Sequence, residues 1–295
     1  MKSCYPVDPP LPLRPHGYTG LFRNQAAKNK DISKGGPLSH FMTNKGVVLD
    51  LQEAFEDLMG YNVIFFGEEH GSRIDHEAER ILLAELAERD PNLVLALEMF
   101  EQDVQEALDA YLAGTISEDV FLDRSRPWPN YQQDYQPLVE FAKAKGITVI
   151  AANVPRRVAA AVATDEEISS KAAGKDNRYL PRTIHLDSKE YYQRFAAAMK
   201  KMPQGAPMKG MNIKGLYKAQ VLKDAVMAAA LDPFLNRRVL FCCGHFHSDC
   251  HLGVPYQLEK NHLDLKVAVI ACATYLGDLP MKDRSRIADF IWIEE

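Results

Sequence analysis

The sequence predicts an α/β protein: a mostly parallel central sheet flanked by helices, with a helical cap or insertion. Three observations lead there. Five short apolar runs, rich in β-branched and aromatic residues, recur between Val63 and Ala273. Their near-continuous hydrophobicity suits strands covered on both faces, as in a parallel sheet. Amphipathic stretches of helical length lie between them, and this alternation is what crossover connections between parallel strands require. At 295 residues, 46% hydrophobic and 25% charged, the chain can bury a core without staples.

The elements come in order along the chain. Residues 1–45 are expected to be a loosely structured N-terminal leader, because they are rich in Pro, Gly, Asn and Lys and show no periodicity. Residues 46–295 are expected to form a single α/β domain. Its strands are Val63 to Phe66, Leu93 to Leu97, Ile147 to Ala152, Val239 to Cys243 and Val267 to Ala273, with Asp289 to Ile293 as a final edge strand. Its helices are Arg73 to Arg89, Glu101 to Ala113, Gln136 to Lys145, Lys189 to Lys201 and Leu216 to Leu231. Residues 155–215 lack a buried strand and read as a helical insertion, either a cap over the sheet edge or an external appendage. Met199, Met202, Met208 and Met211 in this stretch are loop filler or soft contacts for an apolar ligand.

Composition removes several functions. The net charge of -5, from 40 acidic and 35 basic residues, argues against nucleic acid as main partner, since phosphate neutralisation needs a basic face. No apolar run reaches the ~20 residues of a membrane helix. Five cysteines, two of them adjacent at Cys242 and Cys243 in an apolar run, suggest small buried hydrophobes rather than a disulfide framework. There is no Gly-rich phosphate loop, so nucleotide chemistry is not expected. Met1 to Gly20 contains five prolines and no apolar signal-peptide core. Cys4 sits where the first residue of a mature lipoprotein would lie after signal cleavage.

Open α/β sheets bind ligands outside the carboxyl ends of their strands. Each apolar run here is followed by polar residues: Gly67-Glu68-Glu69-His70, Glu98-Met99-Phe100, Asn153-Val154-Pro155, Gly244-His245-Phe246-His247 and Thr274-Tyr275. Two of these turns share the form G-x-x-H, where glycine permits a sharp turn and histidine lands at the rim. Ser72 reads as a helix N-cap with Asp75 three residues on, which puts His76 in the first turn beside the same edge. Five of the nine histidines lie at or beside these two turns. Histidines and carboxylates gathered from several strands suit a metal site, or a general base with its orienting partner. The candidate metal ligands among them are His70, His247, Glu69 and Glu98. Arg124 to Tyr131, including Arg126 and Trp128, is either a basic-aromatic loop for a flat anionic ligand or a proline-rich loop with Trp128 packed on the core. Gln220 and Asp224 share one face of the last long helix at i, i+4.

The residues also resemble a known family. Gly67-Glu68-Glu69-His70 with His76, Glu98 to Glu101 with Gln105 and Leu108-Asp109, Trp128 with Tyr135 and Pro137, Val149 to Pro155, Gln220 with Asp224 to Ala228, and Gly244-His245 with Gly253-Val254-Pro255 are similar in order to the ChaN-like haem-binding proteins. The paired G-x-x-H turns resemble the wider Tiki/TraB/erythromycin-esterase superfamily. The resemblance implies non-covalent haem binding in bacterial haem or iron uptake, by a homodimer working with an outer-membrane partner. It also implies an envelope or periplasmic location, lipid-anchored if a signal peptide has been removed; the sequence taken as complete would be cytoplasmic. It implies a tyrosine iron ligand, for which Tyr131, Tyr135 and Tyr217 are candidates. The expected haem-contacting set is His70, His76, Arg126, Trp128, Tyr135, Tyr217 and His245. The competing reading is a hydrolase, metal-free or using Mn, Co or Zn, with His70 or His247 activating water and Glu68 or Glu98 orienting it.

Overall fold

A computed structural model describes residues 39–164, 174–201, 212–277 and 279–294. They form one sheet of eight strands with helices on both faces. In chain order the strands are β1 (His40–Thr43), β2 (Val48–Leu49), β3 (Val63–Glu68), β4 (Val94–Glu101), β5 (Thr148–Asn153), β6 (Val239–Gly244), β7 (Val267–Cys272) and β8 (Phe290–Ile293). The longer helices are α1 (Leu51–Leu58), α2 (Arg73–Arg89), α3 (Gln105–Leu112), α4 (Glu118–Ser125), α5 (Gln136–Lys145), α6 (Arg156–Thr164), α7 (Lys189–Lys201), α8 (Ile213–Leu231) and α9 (Val254–Asn261).

The sheet order is β2-β1-β8-β7-β3-β6-β4-β5. Pairing is parallel from β8 through β5 and antiparallel at β1 and β2. The predicted fold class therefore holds: the five apolar runs are the adjacent parallel strands β7, β3, β6, β4 and β5, with β5 at the sheet edge, whereas β8, expected at an edge, lies between β7 and β1 because residues 40–43 pair alongside it. The alternation of the strands splits the core in two, because successive side chains of a strand point to opposite faces. Ile64, Phe66, Leu95, Leu97, Leu240 and Cys242 face the layer of α1, α2 and α5. Val63, Phe65, Ala96, Val239, Phe241 and Cys243 face α8 and α9.

One boundary differs from expectation. Residues 40–43, expected to belong to the leader, already pair with β8, in register from His40↔Ile293 to Thr43↔Phe290. Burial explains it: the Phe41 ring meets Trp292, Phe55 and Phe290 edge-on and is fully buried. Four residues, of which only Phe41 and Met42 are apolar, are too short a pattern to announce a strand. Cys4 lies outside the described residues, as do Met202, Met208 and Met211.

Helix α1 has no counterpart among the expected helices. Its N-terminus carries a capping box: Asp50 Oδ1 accepts from the Glu53 amide at 2.9 Å, and Glu53 Oε2 accepts from the Asp50 amide at 3.0 Å. Asp50→Ala is expected to lower stability by about 1 kcal/mol in urea unfolding at constant slope. An unchanged midpoint would remove the cap from the account.

Candidate functional site

Three adjacent strands assemble the site. β6 lies between β3 and β4, so Glu68, Gly244 and Glu98 stand side by side at the carboxyl edge. The chain leaves β3 to build β4 and β5 on one side and returns to build β7 and β8 on the other, and open α/β sheets bind ligands at such a reversal. The two glycines of the G-x-x-H turns serve close approach. A Cβ on Gly67 would lie 2.7 Å from Ser248 Oγ, and one on Gly244 would lie 2.7 Å from His70 Nε2. A side chain at either position would push the two turns apart.

The turn after β3 is fixed by Asp75. Its Oδ2 accepts from the Glu69 amide at 2.8 Å, and its Oδ1 accepts from the Ser72 hydroxyl at 2.6 Å and the Thr274 hydroxyl at 3.1 Å. The expected N-cap is present, with Ser72 accepting from the Asp75 amide. This anchors His76 under the rim and leaves His70 on it.

Two buried carboxylates organise the polar groups at this edge. Glu68, fully buried, accepts from His70 Nδ1 at 2.5 Å through Oε1 and from the Tyr135 hydroxyl at 2.8 Å through the same oxygen, and its Oε2 lies 3.1 Å from His76 Nδ1. Burial alone would raise its pKa, but the charges and hydrogen bonds of His70 and His76 outweigh this and hold it well below the usual carboxylate range. Glu98 accepts from the Gly244 amide at 2.8 Å and lies 3.2 Å from His247 Nε2. Burial again opposes ionisation, and His247, then His70 and the Gly244 amide, bring Glu98 down to about 2.

His247 is clamped on both nitrogens. Its Nδ1 lies 2.5 Å from Asp224 Oδ1, and Asp224 Oδ2 accepts from the Tyr191 hydroxyl at 2.8 Å. Desolvation disfavours the imidazolium, yet Glu98 and Asp224 raise its pKa to about 10. His76 is raised to about 10 in the same way, with hydrogen bonds to Glu68 and Glu79 overcoming burial. Near neutral pH both rings are therefore cations that bind acidic partners, and neither is a base.

The structure gathers His70, Glu68, His76 and Tyr135 into one group and Glu98 with His247 into a second, and the two adjoin at Gly244. Trp128 joins the first from outside, half-buried, with its ring edge-on to His70 at 4.9 Å and to Tyr135 at 5.9 Å. Gln220 and Asp224 do share a face, and both engage His247, with Gln220 Nε2 3.2 Å from His247 Nδ1. Glu69 takes another part, since its backbone amide binds the anchoring Asp75.

Other expected residues stand apart. His245 turns away, stacked on Tyr275 at 4.4 Å with Nδ1 3.0 Å from Asp249 Oδ2. Arg126, the left-handed cap of α4 with φ 50°, pairs with Asp103 at 2.6 Å and Glu101 at 3.3 Å on the outer rim. Tyr217 lies in the cluster of Tyr191, Phe195 and Met199, and its hydroxyl donates to the Ser188 carbonyl at 3.2 Å. Tyr131 is buried against Phe100 and Phe121. Burial holds the phenol pKa of Tyr131, Tyr135 and Tyr217 above the ordinary value, with nearby carboxylates adding to it.

Sequence reasoning missed Glu79, Asp134 and Tyr191. Glu79 had a readable signal: it follows His76 by three residues on the helix face that buries Ala78, Leu82, Leu83 and Leu86. Tyr191 had none, because its contact with Asp224 spans 33 residues.

Comparison with known proteins bears on this geometry. The model of the family described as haem-binding uptake, Tiki superfamily, ChaN, matches residues 54–258, which include every residue of both groups. The structure of cofacial haem binding to ChaN of Campylobacter jejuni superposes with a TM-score of 0.68 at 17% identity, over 87% of this chain and 97% of that one. A mutant of the erythromycin esterase EreC in its open conformation gives a TM-score of 0.46 at 15% identity, over 79% of this chain and 76% of that one. The chloroplastic protein RETICULATA-RELATED 5 of Arabidopsis thaliana is 28% identical over 118 residues, which is 37% of this chain and 16% of that protein's length.

Proposed function

From the premise that this chain belongs to the haem-binding ChaN family of the Tiki superfamily, we propose that it binds haem non-covalently at the rim, with His70 as the iron donor. One observation carries the choice of donor. The His70 ring is 23% exposed and its Nδ1 is held at 2.5 Å by the buried Glu68. A carboxylate on Nδ1 fixes the tautomer and leaves Nε2, which lies beside Gly244 where the two turns meet, as the nitrogen for the iron, as outer-shell partners of metal-bound imidazoles do.

The donor set fits an iron porphyrin through imidazole rather than phenol. Tyr135 is fully buried and spends its hydroxyl on Glu68; Tyr217 and Tyr131 are 6% and 2% exposed. Beside His70, Trp128 offers an aromatic edge for a flat ring, while Arg126 and Arg156, 53% and 62% exposed, offer guanidinium groups for propionates. Haem would supply an iron centre there, and the His70 imidazole would hold it. The cofacial arrangement described for the Campylobacter protein supports a homodimer with the rims of two copies facing each other. A role in bacterial haem uptake, with an outer-membrane partner and an envelope location, extends the same proposal.

Hemin titration tests it. The wild-type chain is expected to give a saturable Soret shift that His70→Ala weakens by about tenfold or more, whereas Tyr135→Phe retains it. Loss in Tyr135→Phe with retention in His70→Ala would transfer the iron to the tyrosine. No saturable shift at about micromolar hemin would remove the proposal.

A second reading rests on the same pair. His70 and Glu68 form the base and orienter that hydrolysis requires. Ester or peptide turnover abolished in His70→Ala, in protein that takes up no hemin, would favour it; a broad panel without turnover would end it.

A further inference from the structure

Beneath the rim, β3 and α2 hold a group of ligating atoms that haem at His70 leaves unused. Glu68 from β3, with His76 and Glu79 from α2, each place a ligand atom within 4.8 Å of the others, all buried. His76 Nδ1 lies 3.1 Å from Glu68 Oε2 and 3.0 Å from Glu79 Oε2, so a single ring N–H faces two carboxylates. Glu79 Oε1 and His76 Nε2 make no hydrogen bond, although Glu79 is fully buried and His76 is 4% exposed. Orphaned atoms of this kind call for an occupant, since buried polar groups are otherwise hydrogen-bonded.

Charge points the same way. Asp134 Oδ2, 3.5 Å from His76 Nε2, adds a third carboxylate. Three acids thus face a single imidazole in a space closed to water, and a divalent cation would offset the negative charge that exceeds what one ring balances.

The donor pattern selects among cations. His76 and Glu79 stand three residues apart on one helix face and a carboxylate enters from the neighbouring element, the layout of carboxylate-histidine metal sites in bundle cores. The fully buried Cys242 thiol lies near Glu79 and adds a softer donor at the edge of the group. Nitrogen and carboxylate oxygen together, with sulfur near, match a borderline divalent ion rather than calcium or magnesium.

We propose that Glu68, His76 and Glu79 bind one divalent ion of the Zn(II) class in a closed site below the rim, separate from the position that takes haem. Binding releases to solvent whatever protons His76 Nδ1 and the carboxylates carry. The bound ion would hold the Glu68 carboxylate on which His70 depends. The proposal does not require haem binding, and haem binding does not require it.

The test uses the full chain purified from zinc-supplemented cells, with metal counted by mass spectrometry after desalting. About one zinc per chain is expected in the wild type and in His70→Ala, with roughly tenfold less in His76→Ala and in the near-isosteric Glu79→Gln. Glu79→Gln should keep its hemin response if haem binds at all, so failure of one proposal is distinct from failure of the other. Protein grown on Co(II) provides a readout that needs no variant: visible d–d bands of nitrogen and oxygen ligation. Metal-free, colourless wild-type protein would overturn the proposal. So would zinc retained in a folded Glu79→Gln protein, or zinc lost only in His70→Ala, which would place the ion on the rim.

Discussion

Gly253→Ala is expected to destabilise the protein by about 3 kcal/mol and to lower the thermal midpoint by roughly 10 °C. Two independent causes act at this one position. Gly253 has φ 66° and ψ -123°, a backbone region that residues with a Cβ scarcely enter. Its added Cβ would also lie 2.4 Å from the His247 carbonyl oxygen and 2.9 Å from the carbonyl carbon. Those are backbone atoms, so the strain is relieved only by moving the turn that holds His247 between Glu98 and Asp224. Gly71 provides the contrast, since at φ 82° a Cβ there would meet nothing within 4 Å, and Gly71→Ala should cost only about 1 kcal/mol. Thermal unfolding of both variants checks the difference, and equal midpoints would show that the contact with His247 contributes nothing.

Asp224→Asn is expected to cost about 3 kcal/mol near pH 6 and progressively less as the pH rises. The carboxylate is fully buried, with Oδ1 2.5 Å from His247 Nδ1 and Oδ2 bound to Tyr191. Removing its charge leaves a buried imidazolium with Glu98 alone. His247 is raised from 6.5 to about 10, so its contribution is complete below pH 6.5 and is lost as the pH climbs through about 10. In the variant the folded pKa falls back toward the unfolded one, and this part of the alkaline loss disappears.

The wild type and the variant should therefore converge near pH 10. His76 and His251, each also raised to about 10, give a common alkaline slope to both proteins. On the acid side Glu98, lowered from 4.5 to about 2, contributes stability above pH 4.5 that is lost as the pH falls through about 2. Maximum stability from these groups lies between pH 4.5 and 6.5. Urea unfolding of both proteins at pH 6 and pH 9.5 is the measurement. A difference that stays constant with pH would mean that Asp224 acts through packing and not through His247.

The legible parts of this molecule share a physical cause. The runs at Val63, Val94, Val149, Val239 and Val267 are readable because a strand covered on both faces must be apolar at every position. The rim is readable because the same sheet leaves polar residues only where strands end, which locates Glu68, His70, Glu98 and His247. β1 is not readable, because its place beside β8 depends on a pairing between residues 40–43 and 290–293, at opposite ends of the chain. Trp128 keeps two readings open in the sequence, and the structure gives it a share of each: it packs against Tyr135 and also borders His70.

The strand–helix alternation, the polar edge and the family pattern in which both are embedded were determined by sequence, because these are local patterns of polarity. Which polar groups meet was decided only in three dimensions. His245 and His247 are two residues apart, yet one stacks on Tyr275 and the other is held between Glu98 and Asp224. Tyr135 belongs to the family pattern, but its burial against Glu68 makes it part of the scaffold under His70. Spacing along the chain places a residue at an edge; charge, tautomer and access are set by neighbours 23 to 146 residues away in sequence, and only packing brings those together.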